Sequence, residues 1–518
     1  MTMFKTWAFL CLLTAALWGQ TRISTEDNYN SWGWQAIVMT NDLITVATVP
    51  VIGARIMQYD LGEHSSIFVN SAELGKTHKP NQSQWYNYGG YKVWPAPQDA
   101  WGWPPPAVLD AGPWSAEIVD HTTDSVAVFV KSQKETWSKT PNLSMERRTV
   151  IYKNSSRVKV EQSIINEGAE EVKWSVWDVT QSIVNHPGEK DFENFWVYFP
   201  IKTEGSVFGP TGVKTSAASS AWKGEAAPGV YGVQFKPEGK KIFADSPEGW
   251  IAYVDEREGY AYVKVFEVYE GQDYPDGGAR NEVWINNSPF YLEVEVVSPI
   301  WPIAPGGKIT FAENWYAAKV NGPILTVNHL GAVETHLQFD PSNGEMYGAY
   351  GVFHVGAAKL LFLDGLGAEI GEGGTFTVTP LEKFVIEQKI SVPQSAETAE
   401  IRLFDADGTL LGVLDTVSAD QITGVKSEPL PAAFALLRSY PNPFNPTTMI
   451  EFNLPNAQTV NLTIFSADGR LVATLVDGLM PSGQHRAVWA ASQHPAGVYV
   501  ARLRTADGSQ VSKMLLIK

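Results

Sequence analysis

Two glutamates on one strand-like run, Tyr291-Leu-Glu-Val-Glu-Val-Val297, are the first residues placed to do chemistry. Residues two apart on a strand share a face at roughly 7 Å. Glu293 and Glu295 therefore stand side by side with Tyr291 and Val297, opposite Leu292, Val294 and Val296. Facing solvent they would be ordinary surface residues. Enclosed, two carboxylates are costly unless paired, and each raises the other's pKa, so they could serve as acid and base. A second run, Trp174-Ser-Val-Trp-Asp-Val-Thr-Gln181, splits into a face with Trp174, Val176, Asp178 and Thr180 and a face with Ser175, Trp177, Val179 and Gln181. A third segment holds Trp85, Lys92, Trp94, Gln98, Trp101, Trp103 and Asp110 among Gly89-Gly90, Pro95, Pro97 and Pro104-Pro-Pro106, and this density of proline and glycine predicts a rigid loop. Lys92 or Asp178 could supply a proton if its pKa is shifted.

Indole faces beside a few amide and charged groups suit a sugar, whose C–H faces stack on aromatic rings while its hydroxyls take the polar groups. The candidate ligand is therefore a carbohydrate, with Trp94, Gln98, Trp101, Trp103 and Gln181 as binding residues and Glu293, Glu295, Asp178 and Lys92 as the candidate catalytic set. The same tryptophans could instead plug the end of a sandwich. His186 could act as a general acid, although a single loop histidine is more often solvated or structural. Arg280, in Gly277-Gly-Ala-Arg-Asn281, could hold a sugar carboxylate and is equally an ordinary surface arginine. Three readings follow: an acid/base enzyme such as an epimerase, a non-catalytic glycan-binding protein, and a structural or adhesive surface protein.

The elements that must position these groups are strands. Short alternating runs such as Ser125–Lys131, Tyr260–Val268 and Phe384–Ile390 are separated by Gly, Pro, Asn and Asp, which predicts an all-β chain of sandwiches. The 518 residues are 44% hydrophobic and 18% charged, enough apolar material for real cores. The net charge of −17 repels phosphate backbones and excludes nucleic acid as a partner. Lys5 and the apolar run Trp7–Trp18 form a signal peptide over residues 1–19, too short to span a bilayer. The one cysteine, Cys11, lies inside it, so the mature chain has no disulfide and no thiolate ligand. No later stretch reads as a transmembrane segment. All tryptophans except Trp7, Trp18 and Trp489 fall between Trp32 and Trp315, which marks off a first domain at 25–320. A smaller sandwich follows at 321–417, the size of an immunoglobulin-like domain. A polar linker at 418–431 leads to a last unit at 432–518. The run Leu403–Leu414 echoes Ile464–Leu475 at half its positions, each with Asp-Gly at a hairpin turn. Asp405 and Asp407 fit that turn better than a calcium loop. No HExxH, Walker or dinucleotide fingerprint is present, so neither metal nor cofactor is expected.

The ordered set Ser439-Tyr-Pro-Asn-Pro-Phe-Asn-Pro-Thr-Thr448, Ala467-Asp-Gly-Arg470, Gly497-Val-Tyr-Val-Ala-Arg-Leu503 and Lys513-Met-Leu-Leu-Ile-Lys518 strongly resembles the C-terminal sorting domain of type IX secretion substrates. That resemblance implies export, the secretion machinery as a partner, and release or attachment at the outer-membrane surface. Residues of about 40–320 resemble the galactose-mutarotase-like supersandwich, most closely an uncharacterised family with a GGYKVWPAP-type loop, here Gly89–Pro97. Mutarotases carry a late LE-x-Q strand followed by Pro, then Pro-Gly and a final strand. Leu292–Glu295, Pro299, Pro305-Gly306 and Thr310–Tyr316 fit that order, which implies Glu293 as the base, with Glu295 at the amide position. The strand 173–181 corresponds to the one bearing the family's catalytic histidine, and here it has Trp177 and Asp178. The implied fold is a large galactose-mutarotase-like supersandwich followed by two small immunoglobulin-like sandwiches.

Overall fold

The alternating runs form strands almost throughout, and the computed structural model is all-β. It describes residues 20–517 except 79–83, 187, 341–343, 394, 419–434, 441, 455–457, 481–482 and 507. The segment read as a signal peptide and all but the first residue of the expected linker fall outside the described residues. The chain divides into two units, 1–423 and 424–518.

The first unit is built on a twelve-stranded and a ten-stranded sheet with one apolar core between them. The centre of the first sheet runs, in spatial order, Arg55–Leu61, Tyr91–Ala96, Val172–Ser182, Phe290–Val297, Asn281–Asn287 and Lys240–Ala244, each antiparallel to the next. Tyr91–Ala96 is thus a strand and not part of a proline-stiffened loop. Pro95 is tolerated because Arg55–Leu61 pairs with this strand only at Tyr91, so the prolyl nitrogen has no ladder to complete on that side.

Alternation gives these strands two buried faces of different character. Val176, Asp178 and Thr180 point between the sheets. Lys264, on the facing sheet, donates to Asp178 Oδ2, and Asp178 Oδ1 accepts the Val296 N–H. Tyr91 donates to Glu313 at 2.9 Å and accepts from Gln162 at 2.6 Å. Burial first, then Glu313, push the Asp178 carboxyl well above its usual range, with Lys264 opposing. Charge is thereby enclosed between two hydrophobic sheets, where it is tolerable only because it is paired.

Downstream, two four-stranded sheets enclose a separate core that includes Leu337, Tyr350, Phe362 and Ile401. The second unit packs a three-stranded against a four-stranded sheet around Phe444, Ile450, Phe452, Leu462 and Trp489. Its Pro-Asn-Pro-Phe motif is tied to the last strand: Phe444 exchanges backbone bonds with Leu515 and Ile517, and the Asn442 side chain bridges Lys513 and Leu515. The two echoed hairpins share their detail. Register shifts fall at Ile401/Arg402 and Leu403/Phe404 in one and at Leu462/Thr463 and Ile464/Phe465 in the other. Gly408 and Gly469 take φ of 85° and 81° at the two turns. Asp405 Oδ1 accepts the Asp407 and Thr409 N–H groups, so this carboxylate builds its own turn.

Candidate functional site

The outer face of the central strands floors a hollow of about 430 Å³, within the size range of small-molecule sites. Register decides what meets there. Trp94 stands opposite Trp177, and Gln181 opposite Glu293. Glu293 in turn pairs with Trp284, and Trp284 with Lys241. Tyr291 and Asn286 continue the lining, and Trp85, Gln98 and Trp103 rise from the adjoining segments.

Glu293 is the polar centre of the floor. Its Oε1 accepts Lys92 Nζ at 3.1 Å and Gln181 Nε2 at 2.9 Å. Both contacts fall on one oxygen, and Glu293 lines the hollow. The Lys92 ammonium also lies 4.7 Å from the Trp94 ring. Burial drives the Lys92 pKa down, and Glu293 only partly restores it. Glu295, two residues on, is fully buried beneath the floor. Its Oε2 accepts Trp177 Nε1 at 2.6 Å and Lys241 Nζ at 2.9 Å, and Lys241 also touches Glu282 at 2.6 Å. Burial would lower the Lys241 pKa, but Glu282 and Glu295 outweigh it, so this lysine stays charged over the Trp177 ring, at 4.5 Å. Burial raises the carboxyls of Glu282 and Glu295, with Lys241 opposing.

The indoles are aimed by a buried acid outside the hollow. Asp110 Oδ1 accepts Trp94 Nε1 and Arg55 Nη2, each at 2.7 Å, and Oδ2 accepts Trp85 Nε1 at 3.1 Å. Both charged groups are essentially solvent-free. Asp110 sits in the one-turn helix Ala107–Ala111, held by Glu135 Oε2 on the Val108 N–H. Gly53 passes so close that a Cβ there would lie 2.0 Å from the Asp110 carbonyl, and its φ of +75° is itself a glycine conformation.

The structure thus brings together Lys92, Trp94, Gln98, Trp103, Gln181 and Glu293 at the hollow, with Glu295 beneath it. It places the other expected site residues elsewhere. Asp178 faces the opposite sheet, because the odd-numbered face of its strand is the one turned outward. Trp101 is fully buried, with its N–H on the Pro95 carbonyl at 2.7 Å. Arg280 grips Glu270 and the Ser246 carbonyl. His186 packs with His64, Asp255 and Glu258. Lys241, Trp284 and Asn286 are lining residues that sequence reasoning missed. The alternation Glu282-Val-Trp-Ile-Asn286 beside the Ser288-Pro289 turn was the available signal for two of them.

Large sandwich, indole-lined hollow and C-terminal motif define an exported all-β protein. Residues 438–518 match the family described as "Secretion system C-terminal sorting domain", so the tail is an export and surface address. No curated protein sequence matches the chain. Among solved structures, a TPR-domain containing protein from Parabacteroides distasonis is similar at 14% identity and TM-score 0.41, over 57% of this chain and 49% of that one. The chain thus spans about half the length of that protein. A galactose mutarotase-like protein from Clostridium acetobutylicum gives 11% identity, 58% and 99% coverage and TM-score 0.40. A galactose mutarotase related enzyme from Lactobacillus acidophilus gives 11%, 56% and 100%, and 0.38. Among the described residues no helix is long and apolar enough to cross a membrane.

Proposed function

We propose that this exported protein binds carbohydrate in the tryptophan-lined hollow, with Glu293 as the group that engages the ligand's hydroxyls. One observation carries the reading: Trp85, Trp94, Trp103, Trp177 and Trp284 surround a single carboxylate whose position is set by Lys92 and Gln181. Indole faces supply sequence-tolerant stacking surface, and an acceptor flanked by donors supplies orientation. Lys241 also lines the hollow, its charge already paired with Glu282 and Glu295.

A second reading, acid/base sugar chemistry, is favoured by the Lys92–Glu293 contact. A lysine whose pKa burial has lowered, touching a carboxylate that lines the ligand space, can pass a proton.

Glycan-array binding by the full protein, followed by calorimetry on the best ligand, tests the proposal. Trp103 is 56% exposed, so Trp103→Ala leaves the fold intact and should weaken binding about tenfold, ~1.4 kcal/mol. Glu293→Gln should weaken it more. Turnover abolished by Glu293→Gln identifies an enzyme, and binding without turnover of any ligand identifies a lectin-like protein. No glycan bound by the wild-type protein would sink both.

A further inference from the structure

A second cluster of functional side chains lies apart from the hollow, on residues far separated in sequence. His64 comes from a two-residue strand of the first sheet, and His186 from the segment after Val172–Ser182. Asp255 ends the strand Trp250–Asp255 of the second sheet, and Glu258 is in the turn that follows. Asp255 is anchored through one oxygen only, its Oδ1 accepting the Arg257 and Glu258 N–H groups. Its Oδ2 is buried and takes no hydrogen bond. Toward that oxygen point His186 Nε2 at 3.2 Å and His64 Nε2 at 3.9 Å. Both nitrogens are likewise buried and without a hydrogen-bond partner.

Glu258 sits on the far side of both rings, Oε2 3.3 Å from His64 Nδ1 and Oε1 3.5 Å from His186 Nδ1. A carboxylate at Nδ1 draws the ring proton to that nitrogen and leaves a lone pair on Nε2. Two lone-pair nitrogens then face one carboxylate oxygen in a dry site, an arrangement that calls for a cation. Donors bound at about 2.0–2.1 Å to one tetrahedral zinc lie roughly 3.3 Å apart, against 3.2 and 3.9 Å from Asp255 Oδ2 to the two imidazole nitrogens here. The rings are braced for it. His64 stacks on Tyr260 with centroids 4.1 Å apart and planes within 3°, and His186 packs on Phe195. Asp191 Oδ2 lies 3.6 Å from His186 Nε2 and is held by Arg257 at 3.2 Å.

We propose that His64, His186 and Asp255 bind one zinc-like divalent transition metal ion, with Glu258 as the outer carboxylate that orients both imidazoles. Two nitrogens and an oxygen suit zinc over calcium or magnesium, which take oxygen ligands. Such a metal would pin the end of the Trp250–Asp255 strand of one sheet to the His64 strand of the other. The site shares no residue with the sugar hollow, so it stands whether or not that reading does.

The test uses the full, untagged protein, stripped with a chelator and titrated with zinc chloride by calorimetry. Metal content after gel filtration is read by mass spectrometry, and Co(II) absorption reports the ligand set. One zinc per chain is expected, with a visible Co(II) band that zinc abolishes. His186→Gln should lower zinc affinity at least tenfold, and the half-exposed Glu258→Gln should lower it by about tenfold as an outer-shell loss. Wild-type protein that retains no stoichiometric zinc and gives no Co(II) band overturns the proposal even if a variant fails to fold. So does zinc binding that is unchanged in His186→Gln.

Discussion

Replacing Asp110 by Asn tests whether a buried charge outside the hollow holds the hollow's aromatic walls. The carboxylate spends Oδ1 on Arg55 and Trp94 and Oδ2 on Trp85. An asparagine keeps the size but has one acceptor oxygen. However its amide is turned, the NH₂ faces an N–H donor. The larger loss is electrostatic. The Arg55 side chain is fully buried, its Nε has no hydrogen-bond partner, and its other contacts are the Gly89 carbonyl at 3.1 Å and the Tyr88 ring face, 5.4 Å away. A guanidinium does not shed its proton, so the variant encloses an uncompensated charge. Breaking a buried pair in this way costs about 3–5 kcal/mol, and a stranded indole N–H does not simply add to that. For a unit of roughly 400 residues the expected fall in melting temperature is about 4–6 °C, read by calorimetry on the first unit's transition. Asp124→Asn is the control: that side chain is 80% exposed and 4.0 Å from Lys153, and its loss should move the transition by under about 1 °C. Adding Arg55→Met to Asp110→Asn removes the orphan charge and should recover part of the loss. A shift below about 2 °C in Asp110→Asn, or a double variant worse than the single, would refute the reasoning.

Two further perturbations probe other charged groups. In the small sandwich His336 donates to Asp415, which also accepts Leu337 N–H and Tyr350 O–H. The hydrogen bond to Asp415 raises the His336 pKa, and these donors lower the Asp415 carboxyl despite its burial. The histidine's contribution is present below its unfolded pKa and lost as pH rises through the folded value. The acid's is present above its unfolded pKa and lost as pH falls through its folded value. Stability of residues 321–417 should therefore peak between about pH 4 and 6.5, and His336→Gln should flatten the alkaline side in hydrogen-exchange measurements. For the inter-sheet pair, Lys264→Met leaves Asp178 free to protonate instead of ionise. Its folded pKa, already raised by burial and Glu313, rises further. The variant should thus lose more stability than the wild-type protein as pH climbs above about 4. Urea midpoints at pH 4 and pH 8 that differ equally in both proteins would contradict this.

What the sequence made legible follows from where the information lies. Alternation in Tyr291–Val297 set Glu293 and Glu295 on one face, and alternation in Trp174–Gln181 paired Trp177 with Gln181; both are local patterns that backbone geometry enforces. It could not say which face of the second strand turns outward. Each carries a tryptophan, a valine and a hydrogen-bonding side chain, and a strand buried on both sides has no polar face to betray it. Asp178 was consequently read into the hollow when it belongs between the sheets. Lys241 was illegible for a different reason. It reaches Glu295 only because Lys240–Ala244 docks beside Asn281–Asn287, a pairing decided by the whole sheet. The same holds for His64 and Asp255, whose meeting requires both large sheets to have closed. Spacing motifs find metal and catalytic groups when one helix or loop carries them. In a sandwich whose functional residues come one per strand, the signal is register, and register between distant strands is a property of the folded sheet.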